Sequence, residues 1–171
     1  MPFTPFHFGI GLAIKGAARP LFSWSAFVAA QVLIDCESLY YLLQREYPVH
    51  RFFHSFIGAT AMGLIAAVAW ILLVGLAKLL LPRLVLPWMH PTSPVSSEFS
   101  SFAVIVGGLL GGASHTFLDA VMHRDVRPFL PFSDHNPFLG LIGVGTLHMA
   151  CVVAGIVGLI GVTLWGTRPA K

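Results

Sequence analysis

Four long apolar stretches alternate with shorter polar breaks along this chain, and in two of them acidic or histidine residues fall toward the C-terminal end. A hydrocarbon layer about 30 Å thick needs roughly 20 apolar residues in helix. Phe56 to Ala77 supplies this without a charge, and Pro137 to Trp165 does so with only His148 interrupting. Leu21 to Leu43 is long enough but carries Asp35 and Glu37 in its second half. Phe99 to Met122 carries His115 and Asp119 near its end. The first apolar run, Pro5 to Ala17, is shorter: a dozen helical residues reach only about 18 Å, which predicts a partial or tilted helix. Pro20, Pro48 and the Pro/Ser-rich stretch from Pro82 to Ser101 mark breaks, and Arg124 to Asn136 reads as a polar loop punctuated by Pro128 and Pro131. The pattern predicts an all-α fold, a polytopic membrane helix bundle forming a single integral membrane domain over residues 1–171. Its spans are expected near 21–43, 53–81, 99–122 and 137–166, with a shorter helix near 6–17. Gly107 with Gly111 and Gly108 with Gly112 form two overlapping GxxxG pairs, which let neighbouring backbones approach.

Composition removes the soluble alternative. Apolar residues make up 56% of the chain and charged residues 10%, where a soluble domain carries roughly 25% charge. A chain this short cannot hide the surplus in a larger core, so the surplus faces lipid. The formal net charge is +3 with no basic run, which argues against a nucleic-acid partner. Cys36 and Cys151 lack CxxC spacing. No charged leader precedes the first apolar run, so no cleavable signal peptide is expected.

Threading the helices back and forth across the bilayer shows where the polar residues meet. The first helix starts at His7 on one face, here the site face. The second returns with Asp35 and Glu37, a loop carries His50, the third leaves with His54 at its start, and the fourth returns with His115, Asp119 and His123. Alternation alone thus brings His7, Asp35, Glu37, His50, His54, His115, Asp119 and His123 to one side. His90, His135 and His148 read as ordinary interfacial polar residues. His50 and His54 are four apart, as are His115 and Asp119, so each pair shares a face if it is helical. Imidazole with carboxylate suits zinc, iron or manganese. Ionisable groups within a membrane segment are costly and face the bundle interior where something compensates them. Ion pairing of Asp35 and Asp119 with Arg51, Arg124 or Arg127 is the structural alternative to a metal.

These residues also carry a family resemblance. TPFH near the N-terminus, IDCE in the second segment, HRFFHS opening the third and SHTFLD closing the fourth together resemble the membrane-bound metal-dependent hydrolases, also described as LexA-binding, inner-membrane-associated hydrolases. That family's pattern is an N-terminal His, a PDxD-type acidic motif, an HRGxTHS-type motif and an HxxxD motif followed by a Pro-bearing loop. Here Ile34 stands where the family often has proline, Glu37 replaces the second aspartate, and Phe52 and Phe53 replace the Gly and its neighbour. The resemblance implies an integral protein of the bacterial inner (cytoplasmic) membrane that hydrolyses its substrate with a bound divalent metal.

On that reading His7, Asp35, His54, His115 and Asp119 are the expected metal ligands, with zinc the expected ion and manganese or iron as alternatives. A bound ion lowers the pKa of its water toward about 7, and Glu37 is the expected general base. Glu37 lies two residues from Asp35, so on one regular helix the two diverge by about 200°. Either the helix ends there or Glu37 meets a second metal. His50 and His123 are expected to support the ligands or to protonate the leaving group. Arg51, Arg124 and Arg127 suit a phosphate or carboxylate, which makes a lipid-like or lipid-linked phosphoester the expected substrate and membrane lipid the expected partner. A metal or proton transporter is the non-catalytic alternative, and would want a polar path right across the bilayer. A bis-His haem protein would want two facing histidines without acids beside them.

Overall fold

A computed structural model describes residues 5–90, 93 and 95–166. The helices are α1 (His7–Ala18), α2 (Trp24–Leu43), α3 (Phe56–Leu80), the single turn α4 (Pro82–Val85), α5 (Ser101–Met122) and α6 (Val144–Gly166). Tight 3-10 turns cover Arg19–Leu21, Phe52–His54, Leu86–Met89 and Ser96–Phe99, and no strand occurs among the described residues. Four helices, α2, α3, α5 and α6, are long and apolar enough to cross a membrane. The fold is the expected all-α membrane bundle with a shorter first helix.

Serine sets the start of each helix in the central trio. Ser23, Ser55 and Ser100 cap α2, α3 and α5, their hydroxyls accepting from the N–H groups of Ala26, Gly58 and Ala103. Two of the boundaries that differ from the expected ones bear on the site. The third helix begins at Phe56 because residues 52–54 wind into a 3-10 turn that Ser55 closes by donating to the Phe52 carbonyl. His50 therefore lies outside any helix, so the condition for a shared helical face with His54 is not met. The last helix begins at Val144, seven residues later than expected. Gly140 adopts φ 73°, a left-handed conformation that favours glycine, and its N–H reaches back to the Val121 carbonyl. Phe138 is held nearby in an aromatic cluster with Phe56, Phe117 and Phe129. These ties fold 137–143 over the end of α5.

Helix α5 is the most enclosed of the spanning helices and α6 the least. The overlapping GxxxG pairs serve two different neighbours. Gly107 and Gly111 face α2, where a Cβ on Gly111 would stand 2.7 Å from the Phe27 carbonyl oxygen. Gly108 and Gly112 face α3, against the backbone carbonyls of Gly63 and Ala59. Because hydrocarbon offers no hydrophobic drive to association, contact this close is what holds such helices together. Helix α1 packs against α6 in the same manner, Gly16 lying against Gly158 and Gly9 against the Cys151 carbonyl.

The end of the bundle opposite the site face carries a separate polar knot. Lys15, buried on α1, donates to the Phe22 carbonyl at 2.8 Å, Ser97 Oγ at 2.6 Å and Glu98 Oε1 at 2.6 Å. Glu98 in turn accepts from Ser23 Oγ and from the backbone N–H groups of Trp24 and Ser25, so its charge sits on the N-terminus of α2. Burial pushes the Glu98 carboxyl up, but hydrogen bonds from Lys15, Ser23 and the Ser25 N–H outweigh it and hold the group below its ordinary range. Trp70 Nε1 donates to the Glu98 carbonyl and ties α3 to the same knot.

Two predictions follow from this packing. Gly112→Val forces the Ala59 backbone away and should cost about 1–3 kcal/mol, whereas Gly75→Val, with open space around it, should stay within about 0.5 kcal/mol of wild type. Thermal melts followed by circular dichroism in detergent read the difference. Lys15→Met alone should cost about 3–5 kcal/mol by stranding Glu98, with Lys15→Met/Glu98→Gln costing much less. Because the folded Glu98 pKa is depressed, its stabilisation is complete above the unfolded value of about 4.3. It is lost as pH falls from there through the folded value, so wild type should lose melting temperature on acidification below the unfolded value more steeply than the double variant.

Candidate metal centre

At the site face four elements converge on one carboxylate. His115 and Asp119 lie one turn apart on the enclosed face of α5, Asp35 faces them from α2, His54 enters from the 3-10 turn before α3, and His7 is the first residue of α1. Ligand atoms of Asp35, His54, His115 and Asp119 all lie within 4.8 Å of one another, and all four residues are buried. His7 joins them, its Nε2 3.4 Å from Asp119 Oδ1. His50 and His123 stack on each other at 4.5 Å and bring their Nε2 atoms to 4.0 and 3.9 Å from the same carboxylate.

The ring orientations are fixed from behind. His54 Nδ1 donates to Glu37 Oε2 at 3.0 Å, His50 Nδ1 to Asp125 Oδ2 at 2.9 Å, and His115 Nδ1 to Gln31 Oε1 at 2.6 Å. A neutral imidazole that donates through Nδ1 presents a bare lone pair at Nε2. Burial pushes the His54 and His123 imidazoles below their ordinary range and the His7 imidazole to about 4, which favours the neutral form. Burial pushes the Asp125 carboxyl up, but the hydrogen bond from His50 outweighs it, leaving Asp125 ionised and below its ordinary range.

The result is acceptors facing acceptors. His115 Nε2 stands 3.2 Å from Asp119 Oδ2 and 3.4 Å from Asp35 Oδ1, yet it makes no hydrogen bond, and neither does His7 Nε2. Unpaired buried polar atoms are costly. A cation among them removes the cost. Ligand atoms about 2.0–2.2 Å from a tetrahedral zinc stand about 3.4 Å from one another. The separations here are 3.2, 3.4, 3.6 and 4.0 Å for His115–Asp119, His115–Asp35, His54–Asp119 and His54–Asp35. This buried cluster has the donors and the spacing to hold a metal ion.

Other expected residues lie elsewhere. α2 runs unbroken to Leu43, so Glu37 is turned from Asp35 toward the 50–54 segment. It accepts from the N–H groups of Arg51 and Phe53 as well as from His54, on the side of that imidazole away from Asp119. Arg51 pairs with Glu46 at 2.8 Å and lies over the Tyr41 ring, and Arg127 pairs with Asp134 at 2.9 Å. Neither arginine faces the carboxylates, nor does either supply the ion pair that was the alternative to a metal. Arg124 is exposed and forms no ion pair among the described residues. His148 stacks on Phe6 at 4.2 Å, apart from the cluster.

Sequence reasoning missed Gln31, Ser38 and Asp125. Ser38 Oγ donates to His54 Nε2 at 3.2 Å, so that nitrogen has a hydrogen-bond partner that an ion would displace. Gln31 had a signal, being one helical turn before Asp35 on the same face. Asp125 had only its nearness to His123 in the chain.

No curated protein and no solved structure matches this chain. A family model described as YdjM inner membrane protein matches residues 1–169. That family is membrane-bound and metal-dependent-hydrolase-like, in agreement with the four motifs. With the match running over almost the whole sequence and four helices fit to cross a bilayer, the chain is an integral inner-membrane protein and belongs to the YdjM inner membrane protein family.

Proposed function

We propose that this protein is a divalent-metal-dependent hydrolase whose site lies near one membrane face and acts on a lipid-like or lipid-linked phosphoester. The observation that carries the reading is the set of lone-pair-bearing Nε2 atoms turned on two buried carboxylates at the spacing of metal ligands. Asp35, His54, His115 and Asp119 are the ligands in this proposal. Two anionic and two imidazole donors suit zinc, and manganese or iron are acceptable to the same set. When bound, such an ion supplies Lewis-acid chemistry, polarising a phosphoryl oxygen and acidifying water. In the overall reaction water adds to phosphorus, the ester bond to the leaving oxygen breaks, and a proton from water ends on that oxygen.

The chain's own residues divide the remaining work. Glu37, Gln31 and Asp125 hold the rings of His54, His115 and His50 in one tautomer and one orientation, the role such outer acceptors play around metals. This replaces the general-base role expected for Glu37, since its carboxylate is spent on the far edge of His54 and two backbone N–H groups. His123 has a side chain 27% exposed, against 5% or less for His7, His50, His54 and His115. Substrate therefore enters past His123. Arg124, next to it in the chain and free of Asp or Glu partners among the described residues, is the arginine left to meet an anionic headgroup.

The transporter reading loses support from the bundle interior. Buried ionisable groups lie at the two ends, and the stretch of α2 between Ser23 and Gln31 buries only Ala26, Phe27 and Ala30. A polar path does not run through it.

The test begins with metal analysis of protein purified in detergent, followed by a screen of phosphoesters and lipids. Asp119→Asn should lose bound metal and hydrolysis together, because it removes the central anionic ligand. Glu37→Gln should weaken metal affinity by about 10–100-fold, and excess metal in the assay should restore most of the turnover. Unchanged metal content in Asp119→Asn would return the carboxylates to a purely structural role and end the proposal.

A further inference from the structure

We infer that the centre holds two divalent cations bridged by the Asp119 carboxylate, the second bound on its Oδ1 side by His7 and His123, with His50 reaching it from the Oδ2 edge. The inference rests on the metal-centre reading above and deepens it. A tetrahedral ion takes four donors, and Asp35, His54, His115 and Asp119 Oδ2 already supply four. Yet the Nε2 atoms of His7, His50, His54, His115 and His123 all lie within 4.0 Å of Asp119. Five imidazoles around one carboxylate are more than one ion can use.

The surplus is ordered. His115 and His54 approach Asp119 Oδ2, at 3.2 and 3.6 Å, whereas His7 and His123 approach Oδ1, at 3.4 and 3.9 Å. His50 stands at the seam, 4.0 Å from Oδ2 and stacked on His123. His50, His123 and Asp125 form a second group of potential ligand atoms within 4.8 Å of one another. With Asp125 engaged by His50 Nδ1, the other ring nitrogen of His50 is the one turned to Asp119. His7 is the sharpest case. It is buried, its Nε2 has no hydrogen-bond partner, and Asp119 Oδ1 is too far for it to donate well. An isolated structural histidine at this depth would find a partner. His7 Nε2 instead points at the free side of a carboxylate already engaged on the other.

A pair of ions about 3.5–4 Å apart stabilises both the attacking and the leaving oxygen of an in-line displacement. Such pairs serve phosphatases, nucleases and polymerases as well as aminopeptidases, so a bridged pair fits the phosphoester class without restricting the site to it.

The full-length protein in detergent, stripped with chelator and titrated with manganese, gives the test. Elemental analysis should find two ions per chain, and electron paramagnetic resonance should show an exchange-coupled spectrum. His7→Gln/His123→Gln should keep one ion and return the simple six-line signal of isolated manganese. His123→Gln alone, at the partly exposed mouth of the site, should weaken the second binding step at least tenfold and leave the first unchanged. One ion per chain in wild type, unaltered by these substitutions, overturns the bridged pair while the single-metal hydrolase stands. No bound ion in wild type overturns both.

Discussion

Asp119 is an anion almost sealed from solvent, near the end of a helix that crosses lipid. A carboxylate in that place is expensive unless something compensates it, and among the described residues no arginine or lysine does. The arginines nearest in sequence are held at the surface by Glu46 or Asp134, or stand exposed. What surrounds Asp119 instead is imidazole nitrogen from α1, the 50–54 segment, α5 and its C-terminal extension. A neutral imidazole compensates a carboxylate only by donating a proton, and His54, His50 and His115 have given theirs to Glu37, Asp125 and Gln31. The compensation these groups call for is a cation, and the site-face architecture follows from that need.

Bringing that many ligands together requires helices at unusually close approach, and glycine makes it possible. Gly111 and Gly112 lie one turn before His115 and Thr116 on α5 and let α2 and α3 in from either side. Asp35 and His54 thereby reach the α5 pair without long side chains. Short, stiff ligands on close backbones are held more precisely than long ones on distant backbones, which is what a metal centre demands. Packing and chemistry are thus set by the same few turns of α5.

Much of this was legible in the chain. Long apolar runs fixed the spans because lipid leaves a helix no other option. Alternation then brought Asp35, His115 and Asp119 together without any knowledge of packing. The loops were less readable, because their conformation is decided by partners in other elements or in the preceding turn that no local pattern names. Nothing local to HRFFHS says that Arg51 turns to Glu46, or that the backbone of 51–53 donates to Glu37. The late start of α6 likewise depends on Asn136 and Gly140 reaching back to the carbonyls of Ala120 and Val121. The pairing of Lys15 with Glu98 across 83 positions is a tertiary fact.

That pair explains how so short a helix as α1 can serve the site at all. From Ser23 to Asp35, α2 climbs twelve residues, about 18 Å. From Lys15 to His7, α1 climbs only eight, about 12 Å. The remaining distance is made up by the extended Lys15 side chain, whose ammonium reaches the Phe22 carbonyl, Ser97 and Glu98 beside the start of α2. Gly9 and Gly16 seat α1 against α6, which fixes its line of approach. An anchor at one end of α1 adds to this by setting the depth of the other. The Lys15–Glu98 knot is that anchor, and through it the far side of the bundle determines where His7 meets Asp119.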